Sequence, residues 1–140
     1  MAQFGTFALN YPDGTDVDIY LYRVNGSSLV PVATSAGSTA SENITLNNPA
    51  AGTYALFVDL FATPGNGTQT WTVKPNTWVL PPTNAGNFGA TPASQSVTSG
   101  GSPTVTLNWT GLSAGGRWLG RVEYGDGTNV IGSTLVSITS

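Results

Sequence analysis

The sequence predicts an all-β protein: an antiparallel, jelly-roll-like β-sandwich followed by a second small β-sandwich, the two packed together. Three observations carry this expectation. Apolar and polar residues alternate with period two along most apolar stretches, and no stretch repeats with a helical period. Charged residues make up 8% of the chain, against about a quarter in ordinary soluble domains. In their place stand Gly, Thr, Ser, Asn and Pro, the residues of turns and of polar, uncharged strand faces. Apolar residues at 39% still supply a core, so the low charge does not mean disorder.

The elements follow in order. Phe4 to Leu9 is expected as a first strand, stopped by the turn Tyr11-Pro12-Asp13-Gly14. Val17 to Val24 comes next, with Val17, Ile19 and Leu21 on one face and Asp18, Tyr20 and Tyr22 on the other. Asn25-Gly26 marks a tight hairpin into a strand from Leu29 to Ala33. Glu42 to Leu46 is a short strand. Tyr54 to Phe61 is the strongest apolar run and is expected at the centre of a sheet. Gln69 to Val73 and Thr77 to Leu80 close this half as strands, or as one strand interrupted at Pro75.

Leu80-Pro81-Pro82-Thr83-Asn84-Ala85-Gly86-Asn87 reads as a boundary, because a diproline cannot donate to a ladder. The expected domains are therefore 1–82 and 83–140. Ser96 to Thr98, Thr104 to Thr110, Trp118 to Tyr124 and Val130 to Ile138 are the strands of the second, with Gly125-Asp126-Gly127 as its clearest hairpin. Trp71, Trp78, Trp109 and Trp118 are candidates for the two cores or for the junction between the halves.

Composition excludes several function classes. The net charge is −3, and the basic residues are only Arg23, Lys74, Arg117 and Arg121, too few and too scattered for phosphate contacts, so no nucleic-acid partner is expected. No apolar run reaches the ~20 residues of a membrane-spanning helix. The chain has neither cysteine nor histidine, which removes thiol chemistry and the usual general base of a serine-hydrolase triad. No Gly-x-Ser-x-Gly elbow occurs, and Gly65-Asn66-Gly67 and Gly115-Gly116 read as turns, not phosphate loops. No catalytic residue is therefore expected. The Lys-poor, Thr/Asn-rich surface reads as extracellular, and Met1-Ala2-Gln3-Phe4 lacks the pattern of a signal peptide. A secreted, mature region excised from a longer precursor is the expectation.

An ordered series of segments carries a resemblance. Thr15-Asp16-Val17-Asp18-Ile19-Tyr20-Leu21-Tyr22, then Ser38 to Leu46, then Asn48-Pro49-Ala50-Ala51-Gly52-Thr53-Tyr54 resemble the successive core strands of the pre-peptidase C-terminal domain of secreted bacterial proteases. Ala90 to Thr98, Thr106-Leu107-Asn108-Trp109-Thr110-Gly111-Leu112 and Leu119 to Gly127 resemble the fibronectin type III-like region that ends some bacterial subtilisin-family serine proteases. The resemblance implies an immunoglobulin/fibronectin III-like second sandwich and a non-catalytic accessory role in stabilisation, secretion or binding. The implied partners are the parent protease domain and a protein or polysaccharide substrate. Two other functions stand beside it: a self-assembling surface-layer or filament subunit pairing through exposed strand edges, and a carbohydrate-binding module.

Two groups of residues are candidate sites. Asp13, Asp16 and Asp18 offer oxygen ligands for calcium, which the resemblance also implies; no other cofactor is expected. The other reading of the same trio is structural, with Asp13 capping a turn and Asp16 and Asp18 accepting backbone hydrogen bonds. Tyr20 and Tyr22, with Trp78, are candidates for a binding surface, against the reading that this face is covered. Asp18 with Asp59 or Glu123 is the only carboxylate pairing of glycosidase type worth naming, and a solvated surface is the simpler account. Tyr54 stands after a turn and at a strand start, where its hydroxyl would tie the turn to the sandwich.

Overall fold

The computed structural model describes residues 1–6, 14–65, 72–84 and 87–140. The chain is all-β, of β-sandwich type, with no helix among the described residues and with every strand pair antiparallel. It follows that no helix there is long and apolar enough to cross a membrane. Two compact units divide at Val79/Leu80, just before the diproline.

The first unit holds strands β1 (Ala2–Thr6), β2 (Asp16–Asn25), β3 (Ser28–Ser35), β4 (Glu42–Leu46), β5 (Tyr54–Ala62) and β6 (Pro75–Val79). They form two three-stranded sheets, β3-β2-β5 and β4-β1-β6. Ile19 and Leu21 from the first sheet meet Ala2, Phe4 and Ile44 from the second in one buried cluster. Ala33, Leu46, Tyr54, Leu56 and Val58 close around it. The alternation of β2 is the cause: Val17, Ile19 and Leu21 are fully buried, and the intervening side chains face the other way. The β2–β3 hairpin turns on Gly26, whose φ of 59° is the left-handed conformation that glycine adopts without a Cβ clash.

Tyr54 to Phe61 does not occupy a sheet centre. Among the described residues β5 pairs with β2 alone and forms an edge of its sheet. The run is apolar because both of its faces are: Leu56 and Val58 pack on the core, while Phe57 and Phe61 point outward and remain exposed. The centre falls to β2, whose inward row is the one fully sealed from water. Pro75 does not interrupt a strand but begins one, the place in a strand where a missing N–H costs least. Leu9 and the turn at Tyr11–Asp13 lie outside the described residues, as do Gln69–Trp71; residues 72–74 are not in a strand.

The turn before β5 is tied down as its tyrosine suggests. Tyr54 Oη donates to the Ala50 carbonyl at 2.8 Å, and Arg23 Nη2 donates to the Ala51 carbonyl at 2.9 Å. The Val24 amide adds a bond of 2.9 Å to Thr53 O. Tyr54→Phe keeps the ring against the core and removes one hydrogen bond. It should cost about 1 kcal/mol in urea unfolding with an unchanged m-value. A change indistinguishable from zero would show that Arg23 and the Val24 amide hold the turn without it.

The second unit contains β7 (Phe88–Thr91), β8 (Thr106–Trp109), β9 (Arg117–Gly125) and β10 (Val130–Thr139), paired as β7-β8 and β9-β10. The expected strand at Ser96–Thr98 does not form: Ser96-Val97-Thr98 has no partner strand among the described residues, and Thr98 O instead accepts from Gly101 N in a turn. β7 has no alternation by which the sequence would predict it. It is set by pairing, with Phe88 opposite Trp109 and the Thr110 amide bonded to Asn87 O. The hairpin at Gly125-Asp126-Gly127 forms, and the Asp126 carboxylate accepts from the Thr128 and Asn129 amides at 2.8 Å each. Those amides hold the Asp126 carboxyl below the usual carboxylate range. Phe88 lies over Gly120, where a Cβ would come within 3.0 Å of the ring, so glycine is what lets the two hairpins of this unit approach. Around that contact Phe88, Trp109, Leu112, Trp118, Leu119 and Ile138 line an apolar space of about 70 Å³. Trp118 is partly buried at this contact, whereas Trp109 lines the same space and is 45% exposed.

Candidate functional site

The outward row of β2 builds the site. Asp18, Tyr20 and Tyr22 share the face opposite the core, as their spacing dictates, and the outward row of β5 meets them across the ladder. Tyr20 is opposite Phe57, and Asp18 is opposite Asp59. Tyr22 and Phe57 meet edge to face, ring centres 5.4 Å apart at 84°. With Leu29 from β3, these side chains line an open depression of about 520 Å³ formed by Tyr20, Tyr22, Leu29, Phe57, Val58 and Asp59.

The polar groups of the depression have a fixed orientation. Tyr20 Oη donates to Asp18 Oδ2 at 3.0 Å, so its proton is committed and its lone pairs remain. That bond, together with partial burial and the carboxylates of Asp18 and Asp59, raises the Tyr20 hydroxyl above its ordinary pKa. Asp18 itself is buried beneath the tyrosine. Among the described residues of the unit no basic side chain is paired with these carboxylates. Arg23 is spent on the Ala51 carbonyl, and Lys74 precedes β6 of the other sheet. The ion pair Arg121–Glu123 at 3.0 Å belongs to the second unit and engages the Glu123 named above.

Trp78 does not join Tyr20 and Tyr22. It stands on β6, opposite Gln3 of β1, in the other sheet of the unit. It is half-buried on the face that carries Gln3, whose amide donates to Asn43 Oδ1 and Thr45 Oγ1 at 3.3 Å. Leu29, Phe57 and Val58 are the lining residues that the sequence does not single out. Strand parity alone would have placed Phe57 outward; its partnership with Tyr20 needs the register.

The acidic end of β2 is a separate locality. Asp13 lies outside the described residues. Asp16 Oδ1 and the neighbouring Thr15 Oγ1 are both buried without a hydrogen-bond partner among the described residues. Partial burial pushes the Asp16 carboxyl above the usual carboxylate range, and the charges of Asp18 and Glu42 push it further. Among the described residues no three Asp, Glu, His or Cys side chains converge as a metal-binding group.

The Asp16 shift fixes a pH dependence. A carboxyl whose folded-state pKa is raised stabilises the fold fully below the unfolded value and loses that contribution as pH rises through the folded one. At neutral pH the ionised Asp16 therefore opposes folding. Asp16→Asn should unfold at a higher temperature than wild type at neutral pH, and the gap should close as the solution is acidified through the carboxylate range. A gap that is constant with pH would mean that the substitution acts through packing and not through charge.

Comparison of the chain with protein-family models, with curated proteins and with solved structures finds no match in any of the three.

Proposed function

We propose that the chain is a non-catalytic accessory region of a secreted subtilisin-like serine protease, a β-sandwich module that holds its parent against a protein substrate. The observation that supports this most is the open depression on the outer face of β3-β2-β5, where Tyr20, Tyr22 and Phe57 stand beside Asp59. A sheet face with no binding role ordinarily carries short polar residues; this one carries three aromatic rings on adjacent strands. The order of sequence segments supports the protease association, and the absence of histidine argues against a triad within the chain. Such a module acts by raising the local concentration of substrate at its parent.

The test is retention on immobilised casein, with cellulose and chitin as parallel supports. Wild type should be retained on casein, and Tyr22→Ala/Phe57→Ala should elute with the void while keeping its β-sheet spectrum. Retention on the polysaccharides alone would transfer the reading to a carbohydrate-binding module. Equal retention of wild type and variant would remove this face from the function.

Calcium enters the proposal through Asp16 Oδ1 and Thr15 Oγ1, buried oxygens on consecutive residues with no hydrogen-bond partner among the described residues and of the kind a hard cation takes. Calcium should raise the thermal midpoint of wild type in a concentration-dependent way and leave Asp16→Asn unmoved. A flat wild-type titration would return these residues to a turn-and-strand role.

Self-assembly is the second reading, and β10 is what favours it. This strand of ten residues carries no charge and pairs only with β9 among the described residues. The accessory reading expects one sedimenting species at every concentration. Growth in the sedimentation coefficient with concentration would favour a subunit that pairs through its edges.

A further inference from the structure

We infer that the depression on the outer face of β3-β2-β5 takes the side chain of a lysine on a protein partner. This rests on the reading of that face as a binding surface and names what it recognises. Complementarity of hydrogen-bonding sense carries the argument. The polar atoms offered there are acceptors: the Asp59 carboxylate is exposed, and Tyr20 Oη, whose O–H is engaged as donor to Asp18 Oδ2, presents lone pairs. A lysine ammonium is the converse, three donors and no acceptor. A sugar hydroxyl or a peptide amide brings acceptors as well, and those would find no donor among these groups.

Charge points the same way. Asp18 and Asp59 stand directly opposite each other on adjacent strands, an arrangement of like charges that destabilises a sheet unless a cation is supplied. No lysine or arginine of the unit supplies one, since Arg23 is engaged elsewhere and Lys74 belongs to the other sheet's approach. An anionic ligand is excluded by the same carboxylates. The walls complete the fit. Tyr22, Phe57 and Leu29 are apolar surfaces for a four-carbon stem, and the edge-to-face pair leaves aromatic surface toward which an ammonium is attracted. A primary ammonium is favoured over a quaternary one because only the primary group can donate to Asp59 and Tyr20.

The experiment titrates the 140-residue chain with Nα-acetyl-lysine methylamide. In parallel come its Nε-acetylated form, which removes the charge and keeps the stem, and neutral cellohexaose. Amide and aromatic NMR shifts of Tyr20, Tyr22, Phe57 and Asp59 are the readout. The lysine probe should move these resonances saturably, and added salt should weaken it. Nε-acetylation and Asp59→Asn should each weaken binding about tenfold, the loss of one charge-assisted hydrogen bond. Asp59 is exposed, so its variant tests recognition and not folding. Equal binding of the acetylated probe, an unchanged Asp59→Asn, or shifts produced only by cellohexaose would each overturn the inference. A silent lysine probe while casein retention still depends on Tyr22 and Phe57 would overturn the lysine assignment and leave the binding face standing. Silence in both assays would remove the two together.

Discussion

Ile19→Ala should lower the stability of the first unit by about 2–5 kcal/mol, a large part of the 5–15 kcal/mol that holds an ordinary domain together. Ile19 is 0% exposed, in the middle of the central strand of its sheet, and packs on residues of both sheets. Removing its branched end leaves a cavity that Leu21, Phe4 and Ile44 cannot close without moving their own strands. The matched control is Phe61→Ala on the edge strand. Phe61 is the larger side chain but is 69% exposed, and its loss should change stability by no more than about 0.5 kcal/mol. Because the chain has two compact units, a single global midpoint is not the proper measure. Hydrogen exchange at the β2 amides, followed through urea unfolding, reports on the first unit alone. Similar costs for the two substitutions would mean that the two sheets do not enclose their core at Ile19.

This contrast also marks how far the sequence could be read. The β2 strand was legible because its two rows differ in chemistry: Val17, Ile19 and Leu21 against Asp18, Tyr20 and Tyr22. β5 was legible as a strand but not as an edge, because Leu56 and Val58 look no more buried in sequence than Phe57 and Phe61. Hydrophobicity ranks residues, whereas edge or centre depends on how many neighbours a strand acquires. The same gap explains the second unit. Phe88-Gly89-Ala90-Thr91 has no alternation and becomes β7 only by pairing with Thr106–Trp109, while Ser96-Val97-Thr98 alternates and finds no partner.

The candidate site divides along the same line. That Asp18, Tyr20 and Tyr22 share a face follows from parity within one strand, and the structure places them so. That Phe57 and Asp59 stand opposite Tyr20 and Asp18 follows only from the β2–β5 register, which passes a bulge between Asp16 and Asp18 and so cannot be counted from the strand ends. Trp78 shows the limit most plainly. Periodicity assigns a residue to a face, but nothing local says to which sheet that face belongs.

Glu42 carries the second large effect. It is 5% exposed at the start of β4 and gathers the loop that arrives from β3. Ser35 Oγ donates to Oε2, Gly37 N donates to Oε1 at 3.1 Å, and Ser35 Oγ in turn accepts from Asn43 N at 3.2 Å. Gly37 can approach because it has no side chain; a Cβ there would come within 2.8 Å of Oε1. Glu42→Ala leaves the Gly37 N–H and the Ser35 hydroxyl without their acceptor and should cost about 1–3 kcal/mol. Glu42→Gln keeps one carbonyl oxygen in place and should recover part of that loss. Both variants remove a negative charge that Asp16 feels, so in both the Asp16 carboxyl should titrate closer to the ordinary carboxylate value. Carboxyl NMR separates the two consequences. The Asp16 midpoint should fall in both variants, whereas faster exchange at the Gly37 amide should be pronounced only in Glu42→Ala. If relief of repulsion outweighed the lost hydrogen bonds, Glu42→Ala would be the more stable protein at neutral pH. The geometry argues against that, because a bonded buried carboxylate loses more when its partners are orphaned than its half-buried neighbour gains.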